Sequence, residues 1–283
     1  MALTRRPGRV SAPRSSAGLR LYPLCQVPDK PFFSLHIKTG VFFYVRVALM
    51  IAVLGTVAYL TGAPPFRASI AAPDPYAAIA PTAARAFQST VRISGRSCGG
   101  VTVGSGWVAA KGFAVTNAHV VAGERQPTIS VQGVGADIPA RVVEFDRKND
   151  IAVLYASELG AVPALRIASE PQPGQSGALL GFPHGGDPVI SPLRLGRIKL
   201  SLTRDFFGRV RLHRVAEVRG ALAPGNSGGP IVDLKGEVIG TIYSADAGKL
   251  AAKQIGYAVA NAPVRQALQS ARALQTADVG GCE

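Results

Sequence analysis

The chain has 283 residues, 47% of them hydrophobic and only 17% charged, with a net charge of +14 and a mean hydropathy of +0.22. This composition excludes a disordered protein and allows one large domain or two small ones with a sizeable core. The low charged share points to a membrane segment that inflates the apolar count.

In chain order that segment comes first. From Val41 to Ala63 runs VFFYVRVALMIAVLGTVAYLTGA, whose only charge is Arg46. Roughly 20 residues cross a bilayer core, so 41–63 is expected to be one transmembrane helix. Eight basic residues precede Val47 against one acid, Asp29. The positive-inside rule then keeps residues 1–40 in the cytoplasm and exports the rest. A cleaved signal peptide is the alternative, since Ala68, Ala71 and Ala72 follow the run. A retained single-pass anchor in the cell membrane is preferred, because the basic start is longer than signal peptides carry. Residues 64–86, rich in Pro and Ala and without periodicity, read as a linker.

Removing the first 62 residues lowers the net charge from +14 by 8 − 1 to +7. Half of the basic signal is therefore topology, and nucleic acid is not an expected partner. A cluster remains between Pro192 and Gly220, where Arg and Lys alternate with Leu, Ile and Val. It reads as a β-hairpin turning around Asp205 to Gly208, its cations either solvated or forming a patch for anionic envelope polymers or an acidic protein. Cys25 falls on the cytoplasmic side, whereas Cys98 and Cys282 fall on the exported side and suggest one disulfide. No His, Cys, Asp and Glu have metal-ligand spacing, so neither a metal nor a cofactor is expected.

From Ser89 to Val259 short β-branched runs recur with turn residues between them, in two series separated by the proline-bearing stretch Ala161 to Gly174. This predicts an all-β barrel or sandwich in two halves, about 87–165 and 175–260. NAPVRQALQSARAL then predicts an amphipathic helix over 261–274, with Asn261 at its start and Pro263 in the first turn.

The stretch APGNSGGPI, Ala223 to Ile231, centres on Ser227. A serine hydroxyl attacks a carbonyl only with a base within reach and a group that orients the base. Three histidines lie in the exported part, His119, His184 and His213, and all precede Ser227. The α/β-hydrolase order, in which histidine follows serine, is excluded. So is the subtilisin order, because Asp74 in the Pro/Ala stretch is the only exported acid before His119. The order His119, Asp150, Ser227 remains. His119 follows the strand ending at Thr116, and Asp150 stands where the polar turn DRKN passes into the apolar run IAVLY. Taken singly, a turn histidine and an Asx-turn aspartate are ordinary structural residues.

GSGWVAAKGFAVTNAHVV, DRKNDIAVL and GNSGGPIVDLKGEVIG together resemble the trypsin-like serine proteases of the chymotrypsin fold, nearest to the bacterial HtrA-like group, over about Phe87 to Leu274. GFPHG, Gly181 to Gly185, stands where that group has a short Gly/Pro loop. More narrowly, Cys98, Cys282 and the exported topology are similar to the actinobacterial membrane-anchored periplasmic proteases of MarP type. The MarP pattern has several membrane helices before the protease, and this chain shows one candidate. The resemblance implies two six-stranded β-barrels with a C-terminal helix, a protease domain over 87–283 and a disulfide tethering its ends. It also implies Ser227 as nucleophile, His119 as general base and Asp150 as the group that orients it. Backbone N–H groups of Gly225 and Ser227 would hold the oxyanion. Asn226 stands where digestive-type proteases have an acid, so no N-terminal ammonium switch is expected. Ala221, Tyr243, Ser244 and Ala245 would line the primary pocket, which favours a neutral, small-to-medium side chain. The expected activity is exported endopeptidase action on envelope proteins, in stress or acid response. The competing expectation is a catalytically silent binding or chaperone module of the same fold.

Overall fold

A computed structural model describes residues 37–60, 70–97, 100–124, 126–204, 210–245 and 254–280. Cys98, Cys282 and the hairpin turn expected at Asp205 to Gly208 lie outside them. The chain divides into two units, Met1–Arg67 and Ala68–Glu283.

In the first unit, helix α1 spans Ile37–Leu60. It starts four residues before the expected span and ends three before it. Its 24 residues amount to roughly 36 Å at 1.5 Å per residue. It contains no acidic residue, and Phe43, Tyr44, Met50 and Ile51 are exposed. Counting only described side chains, which in α1 run from Phe43 to Val53 plus Thr56, no helix is long and apolar enough to cross a membrane.

The second unit begins with a correction. The stretch read as a linker forms helices α2 (Tyr76–Ile79) and α3 (Pro81–Phe87), which bury Ala77, Ala80, Ala83 and Ala86. Pro81 sits at the start of α3, where its missing N–H costs nothing. Alanines every third residue make one face small enough to lie flat on the strands below. Just upstream, Arg219 and Arg194 hold the carbonyls of Ile70 and Ala72 at 2.8 Å each.

Strands β1 (Thr90–Ser97), β2 (Gly100–Ala110), β3 (Phe113–Thr116), β4 (Thr128–Val131), β5 (Ile138–Pro139), β6 (Arg141–Asp146) and β7 (Ile151–Tyr155) form one antiparallel sheet in the order β5-β4-β1-β2-β3-β7-β6. The closed six-stranded barrel expected here is instead a curled seven-stranded sheet. Its two outermost strands, β5 and β6, are separated by Ala140 alone, so a single bent run serves both edges without hydrogen bonds between them. Val91, Ile93, Val108, Ile129 and Leu154 fill the curl.

The second half closes as expected. Strands β8 (Ser176–Gly181), β9 (Val189–Arg204), β10 (Val210–Gly220), β11 (Pro230–Val232), β12 (Val238–Ala245) and β13 (Ile255–Val259) make a six-stranded barrel in the order β10-β13-β12-β11-β8-β9. Leu179, Leu193, Leu195, Ile231 and Ile242 occupy its interior. Between the halves, Trp107 is fully buried and its indole N–H donates to Thr241 across the seam at 3.3 Å.

Helix α5 (Asn261–Ala271) packs against β6, β7 and β12. It is shorter than expected by three residues, and Asn261 does not cap it. The Asn261 amide points inward and donates to the carbonyls of Ala168 and Ser169 (both 3.1 Å) and Val238 (2.8 Å). A buried amide with three carbonyls to satisfy outbids the cap.

Candidate active site

His119 stands on α4 (Ala118–Val121), a single turn directly after β3. Three hydrogen bonds converge from this turn on Asp150. The Asn117 amide donates to the Asp150 carbonyl at 2.8 Å, the His119 backbone N–H donates to Oδ1 at 2.8 Å, and the ring Nδ1 lies 2.6 Å from Oδ2. Asp150 has a left-handed backbone, φ 53°, a conformation Asp tolerates better than most side chains. That twist lets the chain leave the turn closed by Asp146, whose Oδ1 accepts from Lys148 and Asn149, and enter β7 with its carboxylate facing His119.

Asp150 is buried, and the His119 side chain is 28% exposed. Burial lowers the His119 pKa, but the charge of Asp150 and its hydrogen bond raise it by more, so the net shift is upward. With Nδ1–H directed at Asp150, Nε2 is left as the basic atom. The Tyr243 ring packs edge-on to the imidazole at a centroid distance of 6.5 Å.

The loop bearing Ser227 reaches the same place by backbone contacts. Gly228 has φ 84°, and a Cβ there would lie 3.0 Å from the backbone nitrogen of Asn117 and collide with the Ser105 carbonyl. This close approach sets Ser227 beside the turn that carries His119. Ser105 on β2 ties the loop down: its N–H donates to the Ser227 carbonyl at 2.8 Å and its hydroxyl donates to the Gly225 carbonyl at 2.7 Å. The same hydroxyl accepts from Phe182 N–H at 3.0 Å, and Thr116 donates to the Ser105 carbonyl at 2.7 Å.

Gly225 has φ 90°. The carbonyl of the preceding residue, Pro224, accepts from His184 N–H at 2.6 Å. Because a trans peptide sets C=O and N–H on opposite sides, the Gly225 N–H points away from the GFPHG loop. Among the described residues, neither the Gly225 nor the Ser227 N–H donates a hydrogen bond. Two such donors on either side of Asn226 suit an anion. The Ser227 hydroxyl likewise makes no hydrogen bond among the described residues.

Of the expected pocket residues, Tyr243 is buried against His119, and Ala221 is exposed just past β10. Ser244 and Ala245 end β12 and pair with Tyr257 and Gly256. His184 is an exposed loop residue with φ 55°, and His213 pairs with Ser201 within the β9–β10 ladder. Among the described residues, no group of three or more His, Cys, Asp or Glu could hold a metal ion. Ser105, Thr116 and Asn117 escaped the sequence reading. Gly104 and Gly106 around Ser105 were the available signal, since glycine inside a strand marks a close backbone approach.

Residues 104–240 match the model of the trypsin-like peptidase domain family. The chain is 31% identical over 220 residues to the serine protease Rv3671c of Mycobacterium tuberculosis, covering 75% of this chain and 53% of that protein. It is 34% identical over 142 residues to a probable periplasmic serine endoprotease, DegP-like, of Halomonas elongata, covering 49% of this chain and 28% of that one. The chain thus spans about half or less of these relatives. The crystal structure of the Rv3671c protease in its active form superposes with a TM-score of 0.70 at 30% identity, covering 77% of this chain and 97% of the crystallised one.

Proposed function

Since this chain belongs to the trypsin-like serine peptidases, in their HtrA-like group, we propose that it hydrolyses peptide bonds of extracytoplasmic proteins through Ser227, His119 and Asp150. The observation that carries the reading is the convergence of the His119 ring and backbone on Asp150, beside a serine whose own loop offers two free N–H groups. Ser227 Oγ attacks the scissile carbonyl while His119 Nε2 takes its proton. The proton then passes to the leaving amine, and water repeats the sequence on the acyl-enzyme. The tetrahedral oxyanion faces the N–H groups of Gly225 and Ser227. A fluorophosphonate probe should label the wild-type protein and leave Ser227→Ala unlabelled. An unlabelled wild-type protein would sink the reading in favour of a silent module.

The proposal extends to location. Helix α1 is long enough for a hydrocarbon layer of about 30 Å, and eight basic residues precede Val47, which favours a cytoplasmic N-terminus and an exported protease. A role in stress or acid response rests on the MarP-type resemblance. A disulfide between Cys98 and Cys282 is supported by their neighbours: the Glu124 carboxylate accepts from Arg96 N–H, and Gly123 N–H donates to the Val279 carbonyl at 3.1 Å. Consecutive residues therefore hold both flanking segments. In the chain-entropy picture this cross-link contributes about 5 kcal/mol, so reductant should lower the melting temperature, and equal melting with and without it would refute the bond.

A further inference from the structure

Residues 63–283 carry 23 basic and 16 acidic residues, net +7. Between Pro192 and Gly220 alone stand eight basic residues and two acids, net +6. The other residues of this region therefore sum to 7 − 6 = +1.

The structure gives that charge a shape. Strand β9 pairs with β8 only as far as Arg194, and β10 pairs with β13 only from Val215 onward. Where neither neighbour reaches, Leu200–Arg204 and Val210–Arg214 pair only with each other, as a two-stranded ribbon leaving the barrel. A ribbon of this kind is marginal in water unless one face is covered. Its register sets Leu202 opposite Leu212, Leu200 opposite Arg214 and Arg204 opposite Val210, and Leu200, Val210, Leu212 and Arg214 share one face. That face is apolar at its centre and open to solvent: Leu200 is 66%, Val210 60% and Leu212 54% exposed.

Four of the eight bases have work at the ribbon's base. Arg194 and Arg219 hold the incoming chain at Ala72 and Ile70, while Lys199 and Arg197 pair with Glu217 at 2.6 and 3.8 Å. Of the other four, Arg204, Arg211 and Arg214 stand in the two-stranded ladder, and Arg209 lies outside the described residues.

Three occupants compete for such a face. A second copy of the chain would bring two strongly cationic ribbons together. An acidic polypeptide would neutralise the arginines and leave the aliphatic side chains in water. An anionic lipid surface accepts both, aliphatic groups at the acyl boundary and guanidinium groups among the headgroups. We propose that the β9–β10 ribbon docks the protease domain on an anionic membrane surface. The proposal does not depend on the chemistry of Ser227. It gives the arginines at the ribbon's base a second consequence, because the strands that receive the incoming chain are the strands that meet the lipid.

The test uses residues 68–283, a unit with its own closed barrel whose counterpart crystallised as a separate protease chain. Co-sedimentation with vesicles of phosphatidylcholine plus phosphatidylglycerol is compared with phosphatidylcholine alone. Binding to the anionic vesicles should be tighter by about tenfold or more, each basic residue contributing roughly 1 kcal/mol. Leu200→Asp with Leu212→Asp, and separately Arg204→Gln with Arg214→Gln, should each weaken it by about tenfold or more, with hydrolysis of a short peptide unchanged. Equal binding to both vesicles, or none, overturns the proposal. Loss with the arginine set but not with the leucine pair also overturns it, since that result describes capture of any polyanion. A lipid-free dimer abolished by the leucine pair would assign the face to a second copy. Ser227→Ala should bind like wild type, so a failed labelling experiment and a failed vesicle experiment cannot be confused.

Discussion

The two halves of the site are built from different materials. On the curled sheet, His119 and Asp150 are fixed by side-chain hydrogen bonds that meet on one carboxylate. On the barrel, the Ser227 loop is shaped by backbone, through positive φ at Gly225 and Gly228 and by carbonyls tied to Ser105 and His184. The first half sets a protonation state and the second sets positions. Damage to the first should therefore change how activity depends on pH, whereas damage to the second should lower activity at every pH.

The sharpest way to break that contrast is Asp150→Asn. The amide presents a donor where the ring N–H needs an acceptor, so kcat should fall by about 10⁴-fold while the fold survives. The pH profile carries the diagnosis. In the wild type the raised His119 pKa makes kcat/KM rise with pH through a value above the ordinary histidine value of about 6.5. In Asp150→Asn the burial of His119 is unopposed, and the residual activity should rise at lower pH. Stability has the opposite sign. A pKa raised on folding means that the pair's contribution is fully present below the unfolded value and is lost as pH rises through the folded one. Acid thus preserves the pair and silences it.

Ser105→Ala should come next. It leaves the Phe182 N–H buried without its acceptor and frees the Gly225 carbonyl, a cost of about 1–3 kcal/mol. Lower thermal stability and a fall in kcat of roughly tenfold are expected, with the pH profile unmoved. A shifted profile would mean that the halves are not separable in this way. The smallest effect belongs to His184. Its φ of 55° suits glycine and costs a β-branched side chain about 1–2 kcal/mol. His184→Val should lower kcat severalfold by loosening the grip on the Pro224 carbonyl, and His184→Gly should leave it within about twofold. Equal loss in both variants would implicate the imidazole instead.

The same division governs what sequence can disclose. The pairing of His119 with Asp150 was legible because a serine nucleophile admits few partner types and few chain orders, and the period-2 strands were legible because one buried face repeats. Helices α2 and α3 were not, since alanine and proline serve an ordered packing face and a tether equally well. The inward turn of Asn261 was hidden because its carbonyl partners at Ala168 and Val238 carry no side-chain identity. Ser105 was hidden for a related reason: its partners are a carbonyl and an N–H on the far half of the domain, and backbone groups leave no mark in sequence.

A peptidase also lives among copies of itself, each a potential substrate that must be drawn into a cleft as an extended strand. The bend at Ala140 bears on that exposure. By using one run for both ends of the curled sheet, it reduces one border to the two residues Ile138 and Pro139, and a proline there removes a donor that a foreign strand would need. An extended foreign strand finds few free donors on that border.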